Sequence, residues 1–471
     1  MRALFFVFLL VPLSIATAQN GKKPNIILVM ADDQGWGDMG YNGHPHLVTP
    51  HFDKAAAEGL RFDRFYAAAP VCSPTRASVL TGRTPNRMGV FKWGYPMRPQ
   101  EVTIAEELRK AGYVTGHFGK WHLGSVRRGS PASPGANGFD HWVSAPNFYE
   151  NDPIFSFEGR AAQVQGESSM ATVEAALSFI RTHAKKKPIF AVVWFGSPHG
   201  PHQAVDQDRA HYQKLPERDQ NFLGEITGMD RAFGRLREKL EHYGIRENTV
   251  LWYCSDNGAL PKVGSTGGHR GSKGKVYEGG LLVPAILEWP AQIRKPRVIK
   301  MRCATTDIYP TLLDLAGVEV AKQPILDGLS LVPLIEGKGA TRSKPLGFWN
   351  ASRAGISTPS AKWMKELLEA QASGGDLKPD DSSLNAAKLP NPTHPLNSFP
   401  GHAAWISGDW KLHRIQSKDA KKANYELYDL ANDRKEEQNI LARESGRARQ
   451  MQDELEGWLQ SVVRSLNGED Y

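Results

Sequence analysis

The chain has 471 residues, three cysteines and a formal charge of +8 at neutral pH, with an isoelectric point near 9.2. Three cysteines are too few for a disulfide framework, and the length exceeds what one hydrophobic core organises, so a large domain with a smaller companion is expected. The basic excess lies in scattered clusters such as Arg127-Arg128 and Lys185-Lys186-Lys187, with no basic arm and no nucleic-acid motif, which argues against a nucleic-acid partner and favours anionic ligands.

Residues 1–18 open with one arginine, pass through an apolar run from Ala3 to Pro12 and close on Ala16-Thr17-Ala18. That is the pattern of a cleaved secretory signal. The rival, a membrane anchor, needs roughly 20 apolar residues, and this run is shorter. No later segment is apolar enough to cross a bilayer, so a periplasmic or secreted protein is expected, not an integral membrane protein.

Downstream, residues 26–30, 189–195, 250–254 and 281–287 are short apolar runs bounded by turn residues. They lack alternation, as strands do when helices cover both faces of a sheet. Helices are predicted at 50–58, with Pro50 in the first position and Gly59 as the stop, and at 103–111, where Thr103 and Glu106 form a capping box before Gly112. Longer helices are predicted at 169–185 and 217–242. The alternation points to an α/β fold with a large, mostly parallel sheet sandwiched by helices. Beyond 327–334, strand-like segments at 410–415 and 425–430 lead to a terminal helix at 437–466. They suggest a smaller C-terminal subdomain of antiparallel sheet with one helix. Residues 374–400, rich in Pro, Asn, Asp and Ser, read as a long loop, bordering the active-site mouth or merely inserted.

The most informative stretch is Cys72-Ser73-Pro74-Thr75-Arg76, continued by Ala77-Ser78-Val79-Leu80-Thr81-Gly82-Arg83. Upstream lies a strand ending in Asp32-Asp33. Downstream lie Gly119-Lys120-Trp121-His122-Leu123-Gly124 and Ser255-Asp256-Asn257-Gly258. A C-x-P-x-R match alone is weak, but the four segments in this order resemble the formylglycine-dependent type I sulfatases of the alkaline phosphatase superfamily. The resemblance spans roughly residues 24–334 and is looser beyond, which suggests a signal at 1–18, a catalytic domain at 24–336 and a C-terminal subdomain at 337–471.

Asp32-Asp33 and Asp256-Asn257 each follow a predicted strand, where open α/β sheets place ligand sites. Taken singly, such pairs are more often turn or helix-cap chemistry. Flanking the cysteine motif, they form an oxygen-rich set suited to a hard divalent cation, calcium before magnesium. The resemblance implies that Asp32, Asp33, Asp256 and Asn257 hold the metal together with the modified Cys72. It further implies that a separate maturase oxidises Cys72 to formylglycine, whose hydrate attacks sulfur to give a covalent sulfate intermediate that later expels sulfate.

Sulfate ester cleavage also needs cations and an acid for the leaving oxygen. By resemblance, Arg76, one helical turn from Cys72 if a helix begins there, orients the hydrated aldehyde. Lys120 contacts sulfate and aldehyde oxygens, and His122 serves as base in the second step. Two residues apart, they would share a side if both lay on a strand. His199, in His199-Gly200-Pro201, is implied as sulfate contact and general acid, and His202 is a substrate contact or a packed residue. Lys273 is implied to grip the sulfate, with Lys275 as the alternative. Cys254 and Cys303 are expected to pack as small apolar groups, a disulfide between them being the alternative.

The expected activity is removal of sulfate from a sulfated carbohydrate or aryl sulfate, with twelve tryptophans available for sugar stacking, most of them expected in the core. The alternatives are a phosphodiester or phosphonate monoester hydrolase of the same superfamily, and a secreted glycan-binding protein with a vestigial site.

Overall fold

The computed structural model describes residues 23–471 apart from Ala340, Asp380 and Lys421. The signal expected at 1–18 therefore lies outside the described residues. The large sheet is built from β1 (Asn25–Ala31), β2 (Leu60–Tyr66), β3 (Val114–Lys120), β4 (His141–Ala145), β5 (Ile154–Phe157), β6 (Arg160–Gln163), β7 (Ile189–Trp194), β8 (Thr249–Ser255), β9 (Leu282–Glu288), β10 (Arg297–Ile299) and β11 (Cys303–Ala304). Their order is β10-β2-β9-β8-β1-β7-β3-β4-β5-β6, with β11 also on β2. From β8 through β1, β7 and β3 to β4 every pairing is parallel.

Every residue of β1, β7, β8 and β9 is buried. Successive side chains point to opposite faces. Ile26, Leu28 and Met30 therefore join one core while Ile27 and Val29 join the other, and the neighbouring strands divide in the same way. The helices divide likewise. On one face pack α1 (Pro50–Glu58), and on the other α2 (Cys72–Thr81) and α3 (Ile104–Lys110); α4 (Ser168–His183) and α5 (Glu217–His242) lie with α1, and α6 (Ile308–Ala316) with α2 and α3. The capping box of α3 is formed as expected, with Glu106 N donating to Thr103 Oγ1 at 3.1 Å and Thr103 N to Glu106 Oε2 at 2.9 Å.

A second, four-stranded antiparallel sheet follows the order β12 (Leu346–Ala351), β13 (Gly401–Ser407), β14 (Trp410–Gln416) and β15 (Asn424–Asp429). Between β12 and β13 runs α7 (Ser360–Ala372), and α8 (Ser445–Leu466) packs on the sheet through Leu455, Leu459 and Val462. β12 and β13 escape a pattern search because both their faces are covered: Leu346 and Phe348 enter one cluster, Trp349 and Ala351 another. The terminal helix begins at Ser445, later than expected, because the preceding backbone pairs with β15 instead, Ile440 N donating to Leu427 O at 2.9 Å. Residues 374–400 are irregular apart from one short turn at Ser382–Ala387. Cys254 and Cys303 are buried and free.

Candidate active site

The carboxyl ends of the central parallel strands bring the chemistry together. Asp32 and Asp33 follow β1, Asp256 and Asn257 follow β8, Lys120 closes β3, and His199 lies beyond β7. Cys72 is the first residue of α2, so its side chain meets the positive end of the helix dipole. One ligand atom each from Asp32, Asp33 and Cys72 lies within 4.8 Å of the other two.

Arg76, one turn along α2, is fully buried and ties the strands together. It donates to Asp256 Oδ2 from Nε at 3.1 Å and from a terminal nitrogen at 2.7 Å, and to the Lys120 carbonyl at 3.1 Å. Its guanidinium sits 5.0 Å from the centre of the Trp194 ring. Lys120 Nζ reaches Asp32 Oδ2 at 2.5 Å, and Lys273 Nζ reaches Asp33 Oδ2 at 2.6 Å. Asp33 also accepts from Asn257 Nδ2 at 2.8 Å, and its own N–H donates to Asp256 Oδ1 at 3.0 Å. Lys275 makes no contact with Asp33 and is exposed.

These pairings set the protonation states. Burial would raise the Asp33 carboxyl, but Lys273, His199 and Lys120 outweigh it and hold the group below the usual carboxylate range. Asp256 goes the other way: burial and the Asp32 charge push it to about 6 against the pull of Arg76. Burial alone would lower Lys273, yet Asp33 keeps it firmly charged. The unmodified Cys72 thiol is raised by burial.

Trp121 and His122 extend past the end of β3, with backbone N–H groups bonded to Ala145 O and Pro146 O at 2.9 and 3.1 Å. His122 therefore does not share a strand with Lys120, and its backbone is left-handed at φ 54°. Gly119 before it has φ 97°, and a Cβ there would collide with the Trp194 carbonyl oxygen, which explains the glycine. Both His122 ring nitrogens are buried without a hydrogen-bond partner. Burial, followed by the charges of Lys120 and Arg76, holds this imidazole well below its ordinary pKa.

His199 Nδ1 lies 2.7 Å from the Gly200 carbonyl, which can only accept, so Nδ1 carries the hydrogen and Nε2 faces Asp33 Oδ2 at 3.6 Å. Burial, with Lys120 and Lys273, lowers the ring to about 4 despite Asp33. His202 stands apart, against Glu225 at 3.7 Å and edge-on to Phe222. Phe148, which no motif marks, stacks on His199 with ring centres 4.2 Å apart.

Whether the set suits a cation is tested by what it leaves bare. Asp32 Oδ1 and Asn257 Oδ1 are buried oxygens without a hydrogen bond, a state that costs free energy unless something positive meets them. Three carboxylates and an amide oxygen, with no soft donor beyond Cys72, suit a hard divalent ion.

The sulfatase family model matches residues 24–318. N-acetylgalactosamine-6-sulfatase of Mus musculus is 34% identical over 384 residues, covering 72% of this chain and 71% of the relative. Arylsulfatase A of Homo sapiens is 31% identical over 424 residues, covering 81% and 82%. The chain belongs to the sulfatase family and is a sulfate ester hydrolase. The fold is likewise similar to that of Ps i-CgsB, solved in complex with k-i-k-neocarrahexaose, at a TM-score of 0.75 and 24% identity over 93% of each chain. Sulfatases generally use a metal and a formylglycine made from cysteine, which matches the buried Asp32, Asp33 and Cys72 group.

Proposed function

We propose that the protein removes sulfate from a sulfated carbohydrate, with formylglycine made from Cys72 by a maturase supplying the nucleophile and a covalent sulfate intermediate. The observation that carries this is the meeting of Cys72 with three cations and three carboxylates at the strand ends. A cation held by Asp32, Asp33, Asp256 and Asn257, calcium before magnesium, would supply positive charge opposite the sulfate oxygens. Without it the cationic and acidic side chains balance, and a divalent ion leaves the site positive enough for one sulfate anion.

The residues then divide the work. Arg76, fixed by Asp256 and Trp194, orients the group at position 72. Lys120 and Lys273, each anchored on an aspartate, point their charge where sulfate oxygens would lie. His122, neutral and unbonded, can accept a proton, as the second step requires. His199 presents Nε2, which must be protonated to serve the leaving oxygen. The carbohydrate preference draws support from the amino-sugar sulfatase among the relatives, and the leader pattern favours work in the periplasm or outside the cell. Among the described residues no helix is long and apolar enough to cross a membrane.

The test is sulfate release, by ion chromatography, from sulfated polysaccharides and their oligosaccharides, after mass spectrometry confirms conversion at position 72. Release by wild type but not by Cys72→Ala supports the reading. Faster hydrolysis of phosphodiesters or phosphonates than of every sulfate ester overturns it.

A further inference from the structure

A cavity of about 610 Å³ begins at His122 and Gly94 and runs outward to α7. Its inner end is tied to the catalytic cluster. Ser73, beside Cys72, accepts from Gly94 N at 2.8 Å through its hydroxyl, and His122 belongs to the cluster itself. The volume lies within the usual range for ligand sites, roughly 300–1,000 Å³, and far exceeds the needs of one sulfate group.

The outer wall is α7 and the segment after it, whose residues beyond 373 read in sequence as a long loop. They are fastened to the large domain. Arg127 donates to Lys378 O at 2.7 Å, Ser130 to Asp381 Oδ1 at 2.5 Å, and Asn147 Nδ2 to Thr358 O at 3.2 Å. Gln371 accepts from Ala161 N at 2.8 Å and donates to Gly159 O at 3.0 Å. A wall held by this many cross-links is part of the site's architecture.

Its chemistry is selective. Trp363 offers a half-buried ring to the cavity. Arg127 and Lys378 both line the space, and among the described residues neither meets a carboxylate, whereas Glu366 is matched by Lys362 at 3.9 Å. Aromatic surface beside cations that meet no carboxylate among the described residues fits a sugar ring that carries negative charge.

From this we infer that the cavity holds the sugar next to the sulfated residue, and that this neighbour bears its own sulfate or carboxylate, read by Arg127 with Trp363 beneath the ring. The enzyme would then act on anionic oligosaccharides of at least two residues. The inference rests on the sulfatase reading above, and its test separates the two.

Converted wild type, Arg127→Gln, Arg127→Lys and Trp363→Ala are assayed on tetrasaccharides cut from chondroitin sulfate, heparan sulfate and carrageenan, and on 4-nitrophenyl sulfate. On the preferred tetrasaccharide, Arg127→Gln and Trp363→Ala should each lose about tenfold in kcat/KM, mostly through KM, as expected for one lost charge-assisted or stacking contact. Arg127→Lys should recover part of the loss, and 4-nitrophenyl sulfate, too small to reach α7, should lose far less. Equal losses on both substrates, or none on the tetrasaccharide, overturn the inference. Calorimetry on Cys72→Ala with the same tetrasaccharides supplies an arm free of turnover. Binding weakened by Arg127→Gln, with no sulfate release from any wild-type sample, would sink the proposed reaction and keep the cavity's role; binding indifferent to Arg127→Gln overturns that role.

Discussion

Two clusters of buried charge, one at the strand ends and one at the junction of the two sheets, differ in one respect. At the junction of the two sheets, Lys411 meets Glu278 at 2.8 Å and Glu436 at 3.0 Å, Tyr66 donates to Glu278 at 2.9 Å, and Glu436 also takes His413 Nε2 at 2.7 Å and Glu278 N at 2.6 Å. His402 completes the set at 2.8 Å from His413 Nδ1, and every polar side-chain atom of Lys411, Glu278, Glu436 and His413 has a partner. The cluster around Cys72 has the same ingredients and leaves Asp32 Oδ1, Asn257 Oδ1 and both His122 nitrogens bare. A network closed on itself serves the fold, and one with open valences awaits a ligand. Residues of the open cluster should therefore matter to activity, and those of the closed one to stability.

The largest effect belongs to the open cluster. Cys72→Ala should cut sulfate release at least about a thousandfold, the scale of losing a catalytic nucleophile, while its urea midpoint stays close to wild type. A large drop in that midpoint would mean that Cys72 also supports the fold.

The closed cluster should behave in the opposite way. Glu436→Gln leaves Lys411 with Glu278 as its charged partner and removes one carboxylate oxygen that His413 Nε2 or Glu278 N uses, and an unsatisfied buried donor costs about 1–3 kcal/mol. Urea unfolding should show that loss, with kcat reduced far less. Glu278 opens the short helix that follows the Lys273 segment, so a collapse of kcat with unchanged stability would show that the closed cluster positions Lys273.

How much of this was legible in the sequence follows from the same physics. β1, β7, β8 and β9 were readable because burial on both faces leaves uninterrupted apolar runs. The motif residues Cys72, Arg76 and Lys120 converge because each sits on an element whose end is fixed by local signals, His199 because it lies just beyond β7, and Lys273 reaches in from the irregular stretch between β8 and β9. The closed cluster was invisible: Glu278 is far in sequence from Lys411, His413 and Glu436, and a lysine within β14 reads as a solvated face. α7 was missed for a similar reason. Only Met364 and Leu367 of its apolar side chains are fully buried, so its stripe is short, and the cavity wall it forms depends on cross-links to distant loops.

The bare oxygens predict a response to chelation that the closed cluster cannot give. Occupancy by a cation at about a hundredfold over its dissociation constant adds about 2.7 kcal/mol, so chelation should lower the melting temperature and added calcium should restore it. The size of this drop should depend on pH. Asp256 titrates near 6 in the metal-free site, above its unfolded value of 3.8, because of burial and Asp32. The metal-free fold thus holds the extra proton between those values and loses stability as pH rises through them. Chelation should therefore cost more at pH 7 than at pH 5. An equal drop at both would remove Asp256 from the ligand set, and no drop at either would close the cluster that the comparison calls open.

The last test concerns an edge of the open cluster that solvent reaches. Nδ1 of His199 is committed to Gly200 O, so only the doubly protonated ring can give a proton from Nε2. Burial, with Lys120 and Lys273, holds that ring near 4 in the free enzyme. Protonation is favoured below that value, so kcat/KM should fall about tenfold for each pH unit above it. A bound sulfate ester adds negative charge beside the ring and favours the imidazolium, which places the corresponding limb of kcat at higher pH. In His199→Gln both limbs should vanish. A wild-type kcat/KM that stays flat from pH 4 to 7, or a limb that survives in His199→Gln, would assign the proton to another group and leave His199 as a contact closed against Phe148.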